Sequence, residues 1–139
     1  MGYTITAPYQ DLFYIPTDVE LAVNNTEYVN NSSDPAFFFK QTSFRLENTI
    51  ITTGKFRYKF DMKTSGNQVL GQIYRNGIAV GTEQSTVNPV YTTFTEDINT
   101  TNWKLGDTIE LWTRRVLAGR DVYVKNFKIC GLGSQWQII

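Results

Sequence analysis

Histidine is absent from this chain, and cysteine occurs once, as Cys130. Together these facts remove Ser-His-Asp triads, Cys-His dyads and His-based zinc or iron sites, because each needs an imidazole as base or ligand. Cys130 follows Phe127 and Ile129 in an apolar run, which marks it as a buried free thiol rather than a nucleophile. It has no partner for an intramolecular disulfide, so a disulfide-stapled secreted module is excluded. Carboxylates are the remaining catalytic material. Asp18 with Glu20, Glu96 with Asp97, Asp107 and Glu110 could furnish the acid and base of a glycosidase, but nothing in their spacing sets two of them across a cleft. Asp18 and Glu20 share one side of an extended segment and read as a solvated face. Oxygen donors at Asp11, Asp18, Asn24, Asp97 and Asn99 could approach calcium, yet no EF-hand spacing is present, so neither a metal nor another cofactor is expected. Gly131-Leu132-Gly133-Ser134 lacks the following residues and the helix of a phosphate-binding loop. The chain reads as non-catalytic.

Any chemistry must then lie in what the strands display. Gly54 to Lys63 alternates strictly: Phe56, Tyr58, Phe60 and Met62 share one face, Lys55, Arg57, Lys59, Asp61 and Lys63 the other. Val69 to Val80 is a hairpin in which Asn76-Gly77 supplies the positive-φ pair of a type I′ turn. Tyr91 to Ile98 is a Thr-rich strand, and Thr108 to Arg114 and Asp121 to Gly131 are two more, expected to pair as a hairpin through Leu117 to Arg120. In the last of these, Val122 and Val124 occupy one parity and Phe127 and Ile129 the other, which requires a bulge near Lys125-Asn126. Gly81 to Pro89 reads as loop. Shorter extended pieces appear at Tyr3 to Thr6, Leu12 to Ile15, Val19 to Val23, Ala36 to Lys40 and Phe44 to Glu47, separated by Pro8, Pro16 and Asn-rich turns. No amphipathic helix emerges. The expected fold is all-β, an antiparallel β-sandwich of jelly-roll type with about eight strands, forming one domain over residues 1–139.

On that scaffold the C-terminal strands turn unusual residues outward. If Ile109 and Leu111 face the core, Glu110, Trp112 and Arg114 face away; if Val122 and Val124 face the core, Tyr123 and Lys125 face away. Trp112 with Tyr123, bordered by Arg114 and Lys125, is therefore expected to form one aromatic patch on a sheet face that would be polar in a monomer. Such a patch suits a protein interface, and it equally suits stacking against sugar rings. The tail Gly133 to Ile139 carries Trp136, Ile138 and Ile139, residues that a terminus seldom displays unless it docks.

Composition narrows the partners. The formal charge is zero, with 13 basic and 13 acidic residues, so the long-range attraction behind non-specific nucleic-acid binding is missing and no nucleic-acid partner is expected. No run approaches membrane-spanning length, and no membrane partner is expected. Met1-Gly2-Tyr3-Thr4-Ile5-Thr6 fits the loose N-myristoylation template, but the alternation of Tyr3 and Ile5 with Thr4 and Thr6 is that of a strand. Sequons at Asn24, Asn30, Asn31 and Asn99 fall in Asn- and Thr-rich loops without a secretory signal ahead of them.

The run Gly54-Lys55-Phe56-Arg57-Tyr58-Lys59-Phe60, then Ile73-Tyr74-Arg75-Asn76-Gly77, then Trp103-Lys104-Leu105-Gly106-Asp107-Thr108-Ile109-Glu110-Leu111, then Val124-Lys125-Asn126-Phe127-Lys128-Ile129 resembles the second half of compact jelly-roll domains of virion surface proteins and phage head or tail modules. The same order is similar to trimeric tumour-necrosis-factor-like and complement-head-like jelly rolls. The resemblance covers about the last three-fifths of the chain and consists of turn and core motifs. The N-terminal third does not match, and no collagen-like or coiled-coil stalk precedes it. The resemblance implies a virion structural protein made in a host cytoplasm: a capsid, decoration or surface component, homo-oligomeric and trimer-compatible, meeting itself and other virion proteins through Trp112, Tyr123, Trp136 and Ile138. The alternative is a carbohydrate-binding sandwich module with a glycan platform formed by Trp112, Tyr123 or Trp103.

Overall fold

Alternation dominates the architecture. The computed structural model describes residues 12–46, 55–99, 104, 106–117 and 119–137, with the backbone alone at 12, 13, 15 and 134–137. Its strands are β1 (Leu12–Ile15), β2 (Glu20–Asn24), β3 (Tyr28–Asn30), β4 (Phe39–Arg45), β5 (Phe56–Thr64), β6 (Val69–Arg75), β7 (Ile78–Ala79), β8 (Gln84–Thr86), β9 (Thr92–Ile98), β10 (Thr108–Arg115), β11 (Val122–Cys130) and β12 (Ser134–Gln137). Two five-stranded sheets pack face to face. Sheet I runs β4-β10-β6-β7, with β8 also on β6; sheet II runs β2-β11-β5-β9, with β3 also on β11. β1 and β12 form a separate two-stranded ribbon. All pairings are antiparallel. The ten sheet strands exceed the eight expected chiefly because β3 and β8 are too short for a periodic signal; β8 lies inside the stretch read as loop. The expected strand at Ala36 to Lys40 instead begins at Phe39 and runs through Phe44. The piece at Tyr3 to Thr6 lies outside the described residues.

The long alternating strand behaves as its pattern dictates. Phe56, Tyr58, Phe60 and Met62 of β5 are at most 1% exposed, and they meet Val122, Val124, Phe127 and Ile129 of β11 and Ile73, Ile109 and Leu111 of sheet I in one core. At Asn126 the backbone takes a positive φ of 55° and the β5–β11 register shifts between Lys125 and Lys128. That bulge is what lets both apolar halves of β11 point inward. Asn76 and Gly77, with φ of 51° and 79°, make the tight turn between β6 and β7. Gly71 is required by closeness rather than by φ: a Cβ there would stand 2.9 Å from Phe60 Cε2 across the sandwich.

The expected β10–β11 hairpin does not form. β10 lies in sheet I between β4 and β6, whereas β11 lies in sheet II between β5 and the β2–β3 edge. Residues 116–121 cross from one sheet to the other, tied down by Val116 N–H to Gln68 O (3.4 Å) and Ser65 N–H to Asp121 O (3.2 Å). Alternation reports which side of a strand is buried; it does not report which sheet the strand joins. At the β2–β3 edge the sheets are stitched by polar bonds, Asn24 Nδ2–H to Thr42 Oγ1 (3.1 Å) and Asn30 Nδ2–H to Thr113 O (3.1 Å).

Candidate functional site

β10 buries Ile109, Leu111 and Thr113, so Glu110, Trp112 and Arg114 project from the outer face of sheet I. β6 is its hydrogen-bonded neighbour, with Trp112 opposite Gln72 and Glu110 opposite Tyr74. The diagonal pair meets: the Tyr74 and Trp112 rings stack with centroids 4.4 Å apart and an interplanar angle of 10°. Phe38 continues the surface, its ring 6.0 Å from Tyr74, and the Arg114 guanidinium lies 5.8 Å from the Phe38 centroid while Nη1–H donates to Pro35 O at 3.1 Å. Trp112 and Tyr74 are half-buried and Phe37 beyond them is exposed.

Glu110 fixes this arrangement. Its carboxylate is 5% exposed and accepts from the Trp112 indole N–H (3.0 Å), from Thr108 Oγ1 (2.7 Å) and from the Gly77 backbone N–H (2.9 Å). Burial pushes its pKa up, but the bonds from Thr108, Trp112 and Gly77 outweigh that and hold it below the ordinary range, so it stays ionised and the indole orientation is set before any ligand arrives. The turn below is equally tied. Asp107 accepts from Arg75 Nη2 (2.6 Å), Asn76 Nδ2 (3.0 Å) and Lys104 N–H (2.8 Å). Burial raises the pKa of Asp107, and these bonds together bring it below its usual value. Burial also pushes the Tyr74 phenol up, with Glu83 adding to the effect, which keeps the ring neutral.

Tyr123 and Lys125 do not share this surface. They project from the outer face of sheet II, on the opposite side of the molecule, because β10 and β11 belong to different sheets. There the Lys63 ammonium lies 5.0 Å from the Tyr123 centroid and 4.7 Å from that of Tyr91, and the Lys125 ammonium lies 4.3 Å from Tyr91. The Tyr91 hydroxyl donates to Glu27, and burial followed by that bond drives its pKa well above the phenol range. Farther along the face run ion pairs, Asp18 with Lys59 (3.0 Å) and Arg57 (3.1 Å), Arg57 with Asp97 (2.7 Å), and Glu20 with Lys128 (2.8 Å), beside the exposed Leu21 and Val23 of β2. Bonds from Lys59 and Arg57 hold the Asp18 carboxyl below its usual range.

The single Trp112–Tyr123 patch thus divides into two. Trp112 and Arg114 come together with Glu110, expected on the same outward side, and with Tyr74 and Phe38, to which the sequence assigns no site. Tyr74 was findable, since Ile73 must face inward and its neighbour therefore outward; its contact with Trp112 was not, because it depends on the β6–β10 pairing. Trp136 lies in β12 opposite Phe13 of β1, while Ile138 and Trp103 lie outside the described residues. The catalytic candidates are engaged within the fold, Asp18 and Asp97 sharing the Arg57 guanidinium. Glu96 accepts from Thr82 N–H (2.8 Å) and Oγ1 (2.9 Å), and Asp18, Glu20, Asp97, Asp107 and Glu110 are engaged as above. Among the described residues no group of three or more His, Cys, Asp or Glu side chains is placed to hold a metal; of the calcium candidates, Asp11 lies outside them. Cys130 is buried, and burial raises its thiol pKa.

No family model matches the sequence, and no curated protein matches it significantly. The fold is similar to that of known structures. Against the insecticidal delta-endotoxin Cry8Ea1 from Bacillus thuringiensis the TM-score is 0.56 at 14% identity, over 75% of this chain but only 19% of the toxin. Against the CBM36-1 domain of a multidomain xylanase from the hindgut metagenome of Trinervitermes trinervoides it is 0.51 at 14% identity, over 91% of this chain and 100% of that domain. Against the CBM22-1-GH10 modules of Clostridium thermocellum xylanase 10B complexed with xylohexaose it is 0.51 at 11% identity, over 91% of this chain and 29% of that one. These likenesses establish the β-sandwich fold. The virion kinship implied by the sequence motifs is not among them.

Proposed function

We propose that this protein is a non-catalytic carbohydrate-binding β-sandwich module whose ligand surface is the outer face of sheet I. The carrying observation is the Tyr74–Trp112 stack held in place by the buried Glu110 carboxylate. Rigid aromatic rings on a sheet face bind the apolar faces of sugar rings with little loss of side-chain freedom. Gln72, opposite Trp112, and Lys40 on the other flank supply hydrogen-bonding groups for hydroxyls. The likeness in fold to a CBM36-1 domain of a multidomain xylanase and to the CBM22-1-GH10 modules of a xylanase complexed with xylohexaose supports a polysaccharide as the ligand class. The test is affinity electrophoresis and titration calorimetry against plant and microbial polysaccharides, with Trp112→Ala as the variant. Retention by at least one polysaccharide, lost in Trp112→Ala without loss of folding, is expected; failure of the unaltered protein to bind any would refute the reading.

A second reading, assembly as a virion structural homo-oligomer, has its own support. At the end of the sandwich where β6 and β11 begin, Phe37, Val87, Val90, Val116 and Leu117 are exposed, and apolar residues gathered at one end suit a contact between copies. Light scattering over a concentration series separates the two. A mass that stays monomeric sinks assembly, and a mass that falls on Trp112→Ala moves the stack from ligand to interface.

A further inference from the structure

The outer face of sheet I is electrically lopsided. Lys40 of β4 stands directly opposite Trp112 of β10, and Arg114 lies two residues along the same side, so two cations border the indole on adjacent sides. Residues directly opposite on such a face have Cβ atoms about 5 Å apart, and residues two along a strand about 7 Å, which is the scale of one pyranose ring with its exocyclic substituent. Arg45, exposed and opposite Thr108, adds a third cation to the same flank. The anions do not balance them. Glu110 is buried beneath the face with its oxygens engaged by Trp112, Thr108 and Gly77, and Glu83 stands on the far flank beside Tyr74.

Sheet II shows what satisfied cations look like in this molecule: Arg57, Lys59 and Lys128 each hold a carboxylate within 3.1 Å. On sheet I, Lys40 makes no hydrogen bond or ion pair among the described residues and feels only the longer-range field of Glu110. Arg114 uses one N–H on the Pro35 carbonyl, and that bond together with its position over Phe38 fixes the guanidinium while leaving its other N–H groups for an acceptor. A held guanidinium presents a fork that matches a carboxylate.

We infer that the polysaccharide bound on sheet I is carboxylated: a uronic acid residue stacks on Trp112 with its carboxylate directed to Arg114 and Lys40. The inference rests on the carbohydrate-binding reading above and narrows it. Polygalacturonate, its methyl-esterified form, neutral β-1,4-xylan and poly-glutamate are titrated into the intact protein at low ionic strength. Polygalacturonate is expected to bind about tenfold tighter than its methyl ester, with Lys40→Gln and Arg114→Gln each removing several-fold of that preference and Lys125→Gln on sheet II leaving it intact. Thermal melts of the variants control for folding, and Lys40→Gln, exposed and unbonded, keeps the test usable should Arg114→Gln loosen residues 35–38. Equal affinity for acid and ester overturns the inference while the carbohydrate reading stands. Poly-glutamate binding as tightly as polygalacturonate also overturns it, since charge without stacking would then suffice. If none of the polysaccharides binds, both the reading and the inference fall.

Discussion

On the outer face of sheet I one aromatic ring meets another, Tyr74 on Trp112, and among the described residues the nearby cations Lys40 and Arg45 stand without a carboxylate. On the outer face of sheet II the Tyr91 ring has two ammonium groups close to it, those of Lys63 and Lys125, its hydroxyl is bonded to Glu27, and Arg57, Lys59 and Lys128 are paired with Asp18, Glu20 and Asp97. The two faces draw on the same residue types. They differ in whether the aromatic surface and the charges satisfy each other: a cation held over a ring and a carboxylate held on a cation leave little for a ligand to gain, whereas stacked rings beside unpaired cations leave both. Aromatic and basic composition is thus a poor guide to a site until the pairing within each face is known.

The comparison breaks most visibly on ligand affinity. Trp112→Ala is expected to weaken polysaccharide binding at least thirtyfold, about 2 kcal/mol, as truncating a central aromatic anchor does, while Tyr123→Ala changes it less than about twofold. Titration calorimetry of both variants decides, and the opposite order of effects would transfer the site to sheet II. Next in size is the buried Glu110 carboxylate beneath the Trp112 indole. Glu110→Gln can keep a carbonyl oxygen for the Gly77 and Trp112 N–H groups but then sets an amide N–H against the Thr108 hydroxyl and removes the charge, and it is expected to lower unfolding stability by about 1–3 kcal/mol, read from urea midpoints at constant slope.

Acid acts on both faces, since Asp18 and Asp97 of the sheet II ion pairs are also held below their usual range, and a variant isolates the share of the sheet I turn. Asp107 and Glu110 are held below their ordinary values in the folded state, so their stabilisation is complete above the unfolded pKa values, near pH 4, and is lost as pH falls through the folded ones. A melting temperature that drops below about pH 4, with a shallower drop in Asp107→Asn, is the expected result; superimposable pH profiles would show that this cluster is not linked to folding. The smallest effect belongs to sheet II. Lys125→Gln removes a cation from the Tyr91 face and should cost about 0.5–1 kcal/mol at most, diminishing with added salt, with polysaccharide affinity unchanged in the same preparation.

Much of the scaffold was legible from the residues. The alternation of Phe56, Tyr58, Phe60 and Met62, the Asn76-Gly77 turn and the bulge at Lys125-Asn126 are local signals with local causes, and each stands where it was expected. β3 and β8, each of 3 residues, are too brief for periodicity to separate them from loop. The site was half legible. Trp112 and Arg114 were marked as outward by parity, but Tyr123 and Lys125 were assigned to the same patch because consecutive strands were taken to pair. Glu110 was weighed as catalytic material, and its role as the acceptor that orients Trp112 appears only once Gly77 and Thr108 are seen to converge on it.

By itself the sequence determined the buried side of the long strands β5, β10 and β11, since the pleat repeats every two residues and burial of apolar area rewards a consistent parity, whereas in β2 the apolar Leu21 and Val23 are exposed and Ala22 packs on the core. It also determined the absence of imidazole chemistry. Only the tertiary structure decided which sheet each strand joins, because a connection such as 116–121 can either turn back or cross, and the choice depends on how distant strands complete the two layers. That choice put Trp112 beside Tyr74 and sent Tyr123 to the opposite face.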